Sequence, residues 1–472
     1  MRALRTRWLQ NYDLAPSASG PVAYGSRRAS RFLRDLASGA DSLDIVVIGD
    51  SNTASAIVGA WGYHNGFAQA MNELGWLCYG APIFHTMLDQ SADTSTGDVT
   101  FASNYTYAPT GNLASGNASG GSTAYSVWTP STNWTRYGSY TASPVQRDNW
   151  AYIASGTYSQ VYNAITLNAT HPLNSASLTL WHRIRWGGFS SGSGSFTGTT
   201  RNDSTNAVIQ NGSSQSTNNG QSYSFSAYEY SFTPIAAKMR HSIFGGSGAV
   251  GPAAFHSHSV YCKRKGWSVT SHGFFAGADS STINTQVSGV GSSLLQTHLQ
   301  ELRERQIAAG GTGRVLLVSH SGINGNETAA NWTACHVAIW NTYKAAWSAL
   351  GYPANDLAIV SFVGVPRNAA DDSLSGSGGN LIAVRAAANA LPNTQPDMTV
   401  IDAKAMMPYS RAIVGIGNGR SYYQRTNNLP NAGSDITVHL SGGIYTGSTR
   451  DTSDGYTVMA HQIINALLNS AQ

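Results

Sequence analysis

The sequence predicts an α/β fold: a three-layer α/β/α domain around a parallel sheet, interrupted by an all-β, sandwich-like insert. Near both ends of the chain, short apolar runs alternate with amphipathic segments, which is typical of a parallel sheet covered on both faces. In between, Ser/Thr/Gly/Asn-rich runs alternate with period two and are separated by turn residues, which indicates antiparallel strands. We therefore predict an N-terminal arm over residues 1–40, an α/β domain from 41–90 and 265–472, and a β insert over 91–264.

The predicted elements of the α/β domain alternate along the chain. Asp44–Ile48 is a short apolar run expected to form a buried strand, and an amphipathic pattern over 57–75 predicts the helix after it. Beyond the insert we predict strands over 267–272, 314–320, 357–365 and 398–403, and helices over 283–309, 328–350, 379–391 and 455–468.

The composition narrows the classes of partner. Only 11% of the 472 residues are charged and the net charge is +4, with no Lys/Arg block dense enough for nucleic acid. No apolar run reaches transmembrane length, and the first residues lack the apolar core of a secretory signal. We expect no nucleic-acid partner and no membrane insertion. Without a signal, a protein acting outside a cell would be virion-associated or leave by a non-classical route.

Two smaller groups of residues have structural interpretations. The predicted arm contains a short basic helix, which we interpret as a solvated face rather than an anion-docking site. Its arginines are Arg27, Arg28, Arg31 and Arg34. The three cysteines share no metal-ligand spacing and are too few for a disulfide scaffold. They are Cys78, Cys262 and Cys335.

One segment connects the fold to chemistry. The apolar run that begins at Asp44 ends in Gly49-Asp50-Ser51, just before an amphipathic helical pattern. This puts the Ser51 hydroxyl at the carboxyl end of a buried strand, where open α/β sheets bind ligands. Three later segments follow predicted strands or precede the last helix; they contain Gly277, Gly322-Ile-Asn324 and His439-Leu-Ser441.

In this order, the four segments resemble the four blocks of the GDSL/SGNH hydrolases. The resemblance implies a flavodoxin-like SGNH domain that hydrolyses carboxylic esters and needs no cofactor and no metal. It implies Ser51 as the nucleophile and His439 as the base. The oxyanion hole would comprise the backbone N–H groups of Ser51 and Gly277 with the side-chain amide of Asn324. Gly273 is the reserve for Gly277.

Each implied role has a physical reason. A serine hydroxyl is a poor nucleophile until a base removes its proton during attack. A histidine can take that proton and return it to the leaving alcohol. Oriented N–H groups stabilise the charge on the tetrahedral intermediate, and losing one such donor typically raises the barrier by about 3–4 kcal/mol.

Two positions depart from the family pattern. Gly325 stands where the family has an aspartate after the asparagine. Asp435 lies four residues before His439 instead of three, because Ile436 occupies the expected place. Asp435 remains the candidate acid that orients His439. The alternatives for this role are a backbone carbonyl, Asp451 and Asp454.

Other histidines carry weaker patterns. His461 is a rival base, but it lies within the last predicted helix, and packing is our interpretation. His256 and His258 are two residues apart, so both could lie on one strand face as metal ligands. No third ligand has a suitable spacing, so we predict a structural role. His85 and His320 lie near predicted strand ends and are candidates for the pocket lining.

The aromatic residues of the insert suggest a carbohydrate. Trp and Tyr rings stack on the C–H faces of sugars, although core packing is the alternative for each ring. The candidates are Trp128, Trp134, Trp150, Trp181 and Trp186. SGNH hydrolases that carry β-rich modules are often carbohydrate O-deacetylases, and some phage virion proteins share this arrangement.

The leading hypothesis is therefore a serine esterase that removes O-acetyl groups from a polysaccharide or glycan. The composition is compatible with a virion or tail protein and assembly into a particle. A catalytically silent structural or glycan-binding protein with the SGNH fold is the alternative. A lipid or small-ester esterase is a further alternative.

Overall fold

The protein is described by a computed structural model that covers most of the α/β part and many strands of the insert. The described residues are 23–50, 53, 63–81, 84–85, 99–101, 105–109, 134–137, 150–153, 156–157, 161–167, 172–188, 195–202, 204–205, 207–216, 226–237, 239–245, 249–250, 253–273, 279–288, 292–321, 327–363, 381–401, 445–446, 449–450 and 455–470.

One six-stranded sheet is the centre of the α/β part. Its strands are β1 (Ala23–Gly25), β2 (Leu43–Gly49), β3 (Trp267–Gly273), β4 (Val315–Ser321), β5 (Leu357–Val363) and β6 (Met398–Ile401). The order across the sheet is β1-β6-β5-β4-β2-β3. β2 to β6 pair in parallel, and β1 is antiparallel to β6. Strands β2, β4 and β5 are buried at every position, as in sheets covered on both faces.

Helices lie on both faces of this sheet. They are α1 (Arg28–Ala37), α2 (Tyr63–Glu73), α3 (Ser280–Ser288), α4 (Ser292–Ala308), α5 (Ala329–Ala349), α6 (Leu381–Thr394) and α7 (Gly455–Asn469), with a 3-10 turn at Ala354–Asp356.

The two faces of β2 show how the layers are divided. Ile45 and Val47 belong to a core shared with α1, α2 and α7, whereas Val46 and Ile48 belong to a core shared with α3, α4, α5 and α6. Successive side chains of a strand point to opposite faces, so a run of buried apolar residues serves both cores. The prediction of a mixed α/β fold with a parallel sheet is confirmed.

The N-terminal region differs from the predicted arm. From residue 23 it contributes an edge strand to the sheet, and Phe32 and Leu36 of α1 are buried in the core. Two arginines of the basic helix have structural partners: Arg28 donates to the Leu357 carbonyl at 3.0 Å, and Arg31 donates to the Asn355 carbonyl at 3.1 Å. The basic helix is therefore an integral part of the α/β layer structure.

Most predicted helices and strands match the observed ones to within a few residues. The exception is the helix predicted over 283–309, which is two helices, α3 and α4. Gly289 and Gly291 stand between them in the sequence, and glycine is unfavourable in helix interiors. The helix predicted over 57–75 is described from Tyr63 onward.

Two larger antiparallel sheets make up most of the described part of the insert, as period-two alternation predicted. The first insert sheet has the order Ser226–Phe232, Leu180–Gly188, Ala253–Cys262, Trp150–Ile153 and Trp134–Tyr137, with Phe84–His85 also paired to Ala253–Cys262. The second insert sheet has the order Val208–Asn211, Ser195–Asn202, Met239–Gly245, Val161–Leu167, Tyr105–Pro109 and Val99–Phe101, with Gln215–Ser216 paired to Ser195–Asn202. Short two-stranded pairs join Gly156–Thr157 to Ala249–Val250 and Tyr445–Thr446 to Thr449–Arg450.

The two insert sheets pack against each other. A Cβ added to Gly198 of the second insert sheet would lie 2.5 Å from the Tyr230 ring and 3.1 Å from Ile184 of the first. Trp186 is also part of this core, with its ring 4.7 Å from that of Phe196. Core packing is therefore the correct interpretation for Trp186. Trp181 is only partly buried, and the Lys263 ammonium lies 3.5 Å above its ring.

No helix among the described residues combines the length and the apolar character needed to cross a membrane.

Candidate functional site

The sequence-predicted site residues themselves lie outside the described residues. This applies to Ser51, Gly277, Asn324, Asp435 and His439. It also applies to the alternative acids Asp451 and Asp454. For Ser51, Gly277 and Asn324, the described residues on either side show which parts of the chain meet at the carboxyl ends of the parallel strands.

Three of these residues follow strands that are neighbours in the sheet. β2 lies between β3 and β4, all three are parallel, and Gly49 at the end of β2 is opposite Gly273 at the end of β3. Ser51, Gly277 and Asn324 follow the last residues of these strands by two, four and three residues. The chain therefore leaves the carboxyl ends of three adjacent parallel strands just before Ser51, Gly277 and Asn324.

His320 lies at the carboxyl end of β4 and contacts the segment that contains Ser51. Its Nε2 is 2.5 Å from Thr53 Oγ1, and its Nδ1 is 3.9 Å from Asp50 Oδ1. All three side chains are fully buried. Thr53 N–H also donates to the Asp50 carbonyl at 2.9 Å. His320 therefore bonds to, or lies beside, the residue before Ser51 and the residue two after it.

Close packing fixes the His320 ring. It stacks on Phe362 of β5 with ring centroids 5.4 Å apart, and its centroid is 4.4 Å from that of Tyr63 at the start of α2. A Cβ on Gly49 would lie 2.3 Å from His320 Nε2, so any larger residue at Gly49 would displace the ring. Burial lowers the pKa of His320, and the Asp50 carboxylate offsets part of this effect.

His64 is a second buried histidine beside the same segment. Burial lowers its pKa to about 3, although a hydrogen bond to the Thr53 backbone favours the charged form. Its imidazole is therefore neutral at physiological pH. Thr53 is consequently held by one histidine through its side chain and by another through its backbone.

A separate polar network occupies the opposite face of β4. His336 of α5 bonds through Nδ1 to Ser319 Oγ at 2.8 Å and through Nε2 to Ser321 Oγ at 2.9 Å. Ser319 Oγ is 2.8 Å from Ser361 Oγ, and Ser321 Oγ is 2.6 Å from Ser280 Oγ. All five side chains are buried, so each hydroxyl and ring nitrogen requires the partner it has.

This serine–histidine network reaches residues close in the chain to both predicted oxyanion residues, Gly277 and Asn324. Ser280 follows Gly277 by three residues, and Ser321 precedes Asn324 by three. Glu327, three residues after Asn324, accepts a hydrogen bond from the Ser280 backbone N–H at 3.2 Å. Burial raises the pKa of Glu327, because the charged carboxylate is poorly solvated there. The network thus joins the two segments that carry Gly277 and Asn324.

The last helix packs against α2, which follows Ser51. The rings of Tyr456 and Tyr63 are 5.1 Å apart, edge to face, and a Cβ on Gly66 would lie 2.4 Å from the Tyr456 carbonyl. Further along, His461 Nε2 is 2.9 Å from Glu73 Oε2. His461 thus pairs with the last residue of α2, in agreement with the packing role predicted for it.

The remaining histidine predictions concern residues whose side chains are outside the described part of the chain. His85 is in strand Phe84–His85, and His256 and His258 are in strand Ala253–Cys262. Among the described residues, no group of three or more His, Cys, Asp or Glu side chains could hold a metal ion.

The sequence hypotheses anticipated only part of this site. They placed His320 near a strand end but missed its contact with Thr53, and they missed His336 and Glu327 altogether. One signal was present: in Ser319-His320-Ser321, strand alternation puts both serines on one face and the histidine on the other.

Comparisons with known proteins gave structural similarities alone. No family model and no curated protein sequence matches the chain. A peptidoglycan O-acetylesterase structure is 16% identical over 95% of this chain and 97% of its own, with a TM-score of 0.47. The C-terminal carbohydrate-binding module of a laminarinase from Zobellia galactanivorans is 11% identical over 28% of this chain and 92% of its own, with a TM-score of 0.20. A carbohydrate-binding module of a Cellvibrio mixtus lichenase, bound to cellotriose, is 11% identical over 29% of this chain and 91% of its own, also with a TM-score of 0.20.

Proposed function

We propose that the protein is a serine esterase of the SGNH type that removes O-acetyl groups from a polysaccharide or glycan. One observation supports it most strongly: the three neighbouring parallel strands β3, β2 and β4 end at one edge, just before Gly277, Ser51 and Asn324. Ligands of open α/β sheets bind at the carboxyl ends of the strands. In this proposal residues 41–90 and 265–472 form the esterase domain, to which residues 23–40 add β1 and α1, and residues 91–264 form a sandwich-like β insert.

The reaction needs only groups of the chain and water. Ser51 Oγ attacks the acetyl carbonyl carbon while His439 takes the hydroxyl proton, and the oxyanion hole stabilises the resulting oxyanion. Its donors are the backbone N–H groups of Ser51 and Gly277 and the Asn324 side-chain amide. The intermediate collapses, the bond between the acyl carbon and the sugar oxygen breaks, and His439 protonates the sugar oxygen. Water then attacks the acyl carbon while His439 takes a proton from it. The bond to Ser51 Oγ breaks, His439 returns the proton to Oγ, and acetate leaves.

The acid that orients His439 is Asp435 in this proposal. A carboxylate that accepts the Nδ1–H of the base fixes its tautomer and orientation. An Asp435→Asn variant should then lose kcat and keep KM. If Asp435→Asn keeps the parent kcat, Asp451→Asn and Asp454→Asn test the other two acids.

The test of the function is acetate release. Purified protein is assayed on acetylated xylan and on 4-nitrophenyl acetate, and Ser51→Ala and His439→Ala are each compared with the parent. The matched control is Ser38→Ala, because the Ser38 hydroxyl is exposed and bonds only within its own helix end, to the Asp35 carbonyl. We expect activity in the parent and the control and a loss of at least about 10³-fold in the other two. Full activity in Ser51→Ala would exclude the serine mechanism.

The acyl chain distinguishes the acetylesterase from a lipid or small-ester esterase. An acetylesterase should hydrolyse 4-nitrophenyl acetate and lose activity steeply with butyrate and octanoate. A rate that rises with chain length would favour the lipid esterase instead.

A second candidate function is a silent glycan-binding or structural protein. Gly325 and Ile436, where the family has acidic residues, favour it. It predicts neither turnover nor labelling of Ser51 by a fluorophosphonate, with glycan binding unchanged in Ser51→Ala. Association with a virion remains a prediction; immunogold labelling of purified particles from the source would test it.

A further inference from the structure

We propose that His320 is a positioning residue for the nucleophile, acting on the segment of Ser51 through Thr53 and Asp50. The inference rests on the proposed serine-esterase function and adds a residue to it. Its basis is the set of contacts that the imidazole makes with Gly49, Asp50 and Thr53, all within two residues of Ser51.

The first step of the argument concerns the two ring nitrogens. The Asp50 carboxylate, 3.9 Å from Nδ1, favours the tautomer that carries its proton on that nitrogen. Nε2 then accepts the hydrogen bond of the Thr53 hydroxyl, 2.5 Å away. A neutral imidazole therefore interacts favourably with both residues. Its Nδ1–H lies beside the Asp50 carboxylate, and its Nε2 accepts a hydrogen bond from the Thr53 hydroxyl.

The second step concerns rigidity. His320 is part of β4, in the middle of the sheet, and its ring is held between Phe362 and Tyr63. Gly49 leaves no space for the ring to move toward the end of β2. A side chain fixed in this way can transmit the position of the sheet to the residues it binds.

The third step connects the fixed His320 ring, the anchor, to Ser51. Asp50 is the residue before Ser51, and Thr53 is two residues after Ser51. The Thr53 N–H also donates a hydrogen bond to the Asp50 carbonyl. The ends of this short segment therefore have little freedom relative to β4, whose last residue precedes Asn324 by three. Displacements near 1 Å can cost about 100-fold in rate. Loss of the anchor should therefore lower kcat more than it raises KM.

The test uses three variants of the full chain. His320→Phe keeps a planar ring but removes both nitrogens, Thr53→Val removes the hydroxyl at nearly constant shape, and His320→Gln offers an amide in place of Nε2. We expect kcat on 4-nitrophenyl acetate to fall about 10- to 100-fold in His320→Phe and Thr53→Val, with KM within about threefold of the parent. The double variant should be no slower than His320→Phe, because both changes break one interaction. His320→Gln should recover part of the lost kcat.

A control separates positioning from folding. His182 of the insert is also a buried histidine bonded to a hydroxyl, with Nδ1 2.9 Å from Tyr230 Oη. His182→Gln should lower the melting temperature and leave kcat at the parent value. If His320→Phe does not fold, Thr53→Val alone decides the matter. The rate at which a fluorophosphonate labels Ser51 should follow kcat across the set.

Two outcomes would overturn the inference. Parent-like kcat in both His320→Phe and Thr53→Val, with Ser51→Ala inactive, would refute the anchor and leave the proposed function intact. Full activity in Ser51→Ala would instead refute the proposed function and the anchor with it.

Discussion

Arg185 of the insert donates from Nε to Oε2 of Glu301 on α4 at 2.7 Å, and both side chains are almost completely buried. Arg183 donates from its own Nε to the other oxygen of Glu301 at 2.9 Å. One carboxylate of the α/β part thus bridges two guanidinium groups of the insert. Burial alone would raise the pKa of Glu301. The positive charges of Arg183 and Arg185 outweigh that effect and hold the pKa of this carboxyl below its ordinary value.

Glu301→Gln should destabilise the protein strongly. It removes the fully buried carboxylate of the two that Arg183 and Arg185 share, and breaking a buried ion pair from one side costs about 3–5 kcal/mol. The measurement is the urea midpoint at pH 7.5. Glu304→Gln is the comparison on the same helix, because Glu304 pairs with both Arg183 and Arg185 but its side chain is 37% exposed. Water can replace part of what that carboxylate provides, so the loss of stability should be clearly smaller than in Glu301→Gln. Equal losses in the two variants would contradict the bridging role of Glu301.

Stability should decrease in mild acid because several histidines are buried in the neutral form. Burial lowers the pKa of His64, His182 and His336 to about 3 in the folded protein. The unfolded chain, with histidine pKa values near 6.5, takes up protons as the pH falls below that value, and the folded protein does not. The histidine contribution is therefore complete above pH 6.5 and is lost progressively toward pH 3. The expected slope is up to about 1.4 kcal/mol per pH unit for each histidine.

Urea unfolding at pH 7.5, 6.5 and 5.5 measures this slope. His182→Gln should unfold with a smaller loss of stability between pH 6.5 and 5.5 than the parent, because one titrating group has been removed. A parent whose free energy of unfolding is the same at pH 7.5 and pH 5.5 would disprove the prediction.

The sheet was predictable where its strands are continuous apolar runs. Leu43–Gly49 and Leu357–Val363 are buried at every position, so the local sequence alone identifies them. β1 was missed because three residues carry no periodicity, and its pairing with β6 depends on residues far away in the chain. In α1 the apolar residues Phe32 and Leu36 are spaced one helical turn apart, but the surrounding arginines concealed that pattern.

The site was predictable as a set of segments and not as a set of contacts. The segment order placed Ser51 and Asn324 after predicted strands, and those strands are neighbours. The contact between His320 and Thr53 depends on the register in which β4 pairs with β2, with Ser319 opposite Ile48. This register pairs residues that lie far apart in the chain and are joined by no short turn, so the local sequence around either strand does not provide it.

Gly66→Ala should weaken the packing of α2 on α7. The added methyl group would lie 2.4 Å from the Tyr456 carbonyl, a backbone atom that cannot rotate away. Overpacking of this kind costs about 1–3 kcal/mol, more than the gain of up to about 1 kcal/mol in helix propensity. Thermal unfolding should therefore show a lower melting temperature. Asn72→Ala, on the same helix, has the propensity gain without the clash and should be at least as stable as the parent. A Gly66→Ala protein with an unchanged melting temperature would show that the helices separate at no cost.

His336→Phe should affect stability and turnover together. The ring of phenylalanine fits a similar volume but leaves Ser319 and Ser321 each without one buried hydrogen-bond partner, which costs about 1–3 kcal/mol. Because Ser321 precedes Asn324 by three residues, we also expect kcat to fall by about tenfold with little change in KM. Ser361→Ala is the comparison, since its hydroxyl bonds to Ser319 at the end of the network distant from Asn324. It should lose stability and keep most of its kcat. If His336→Phe loses stability and turns over at the parent rate, the network supports the fold without positioning the proposed oxyanion hole.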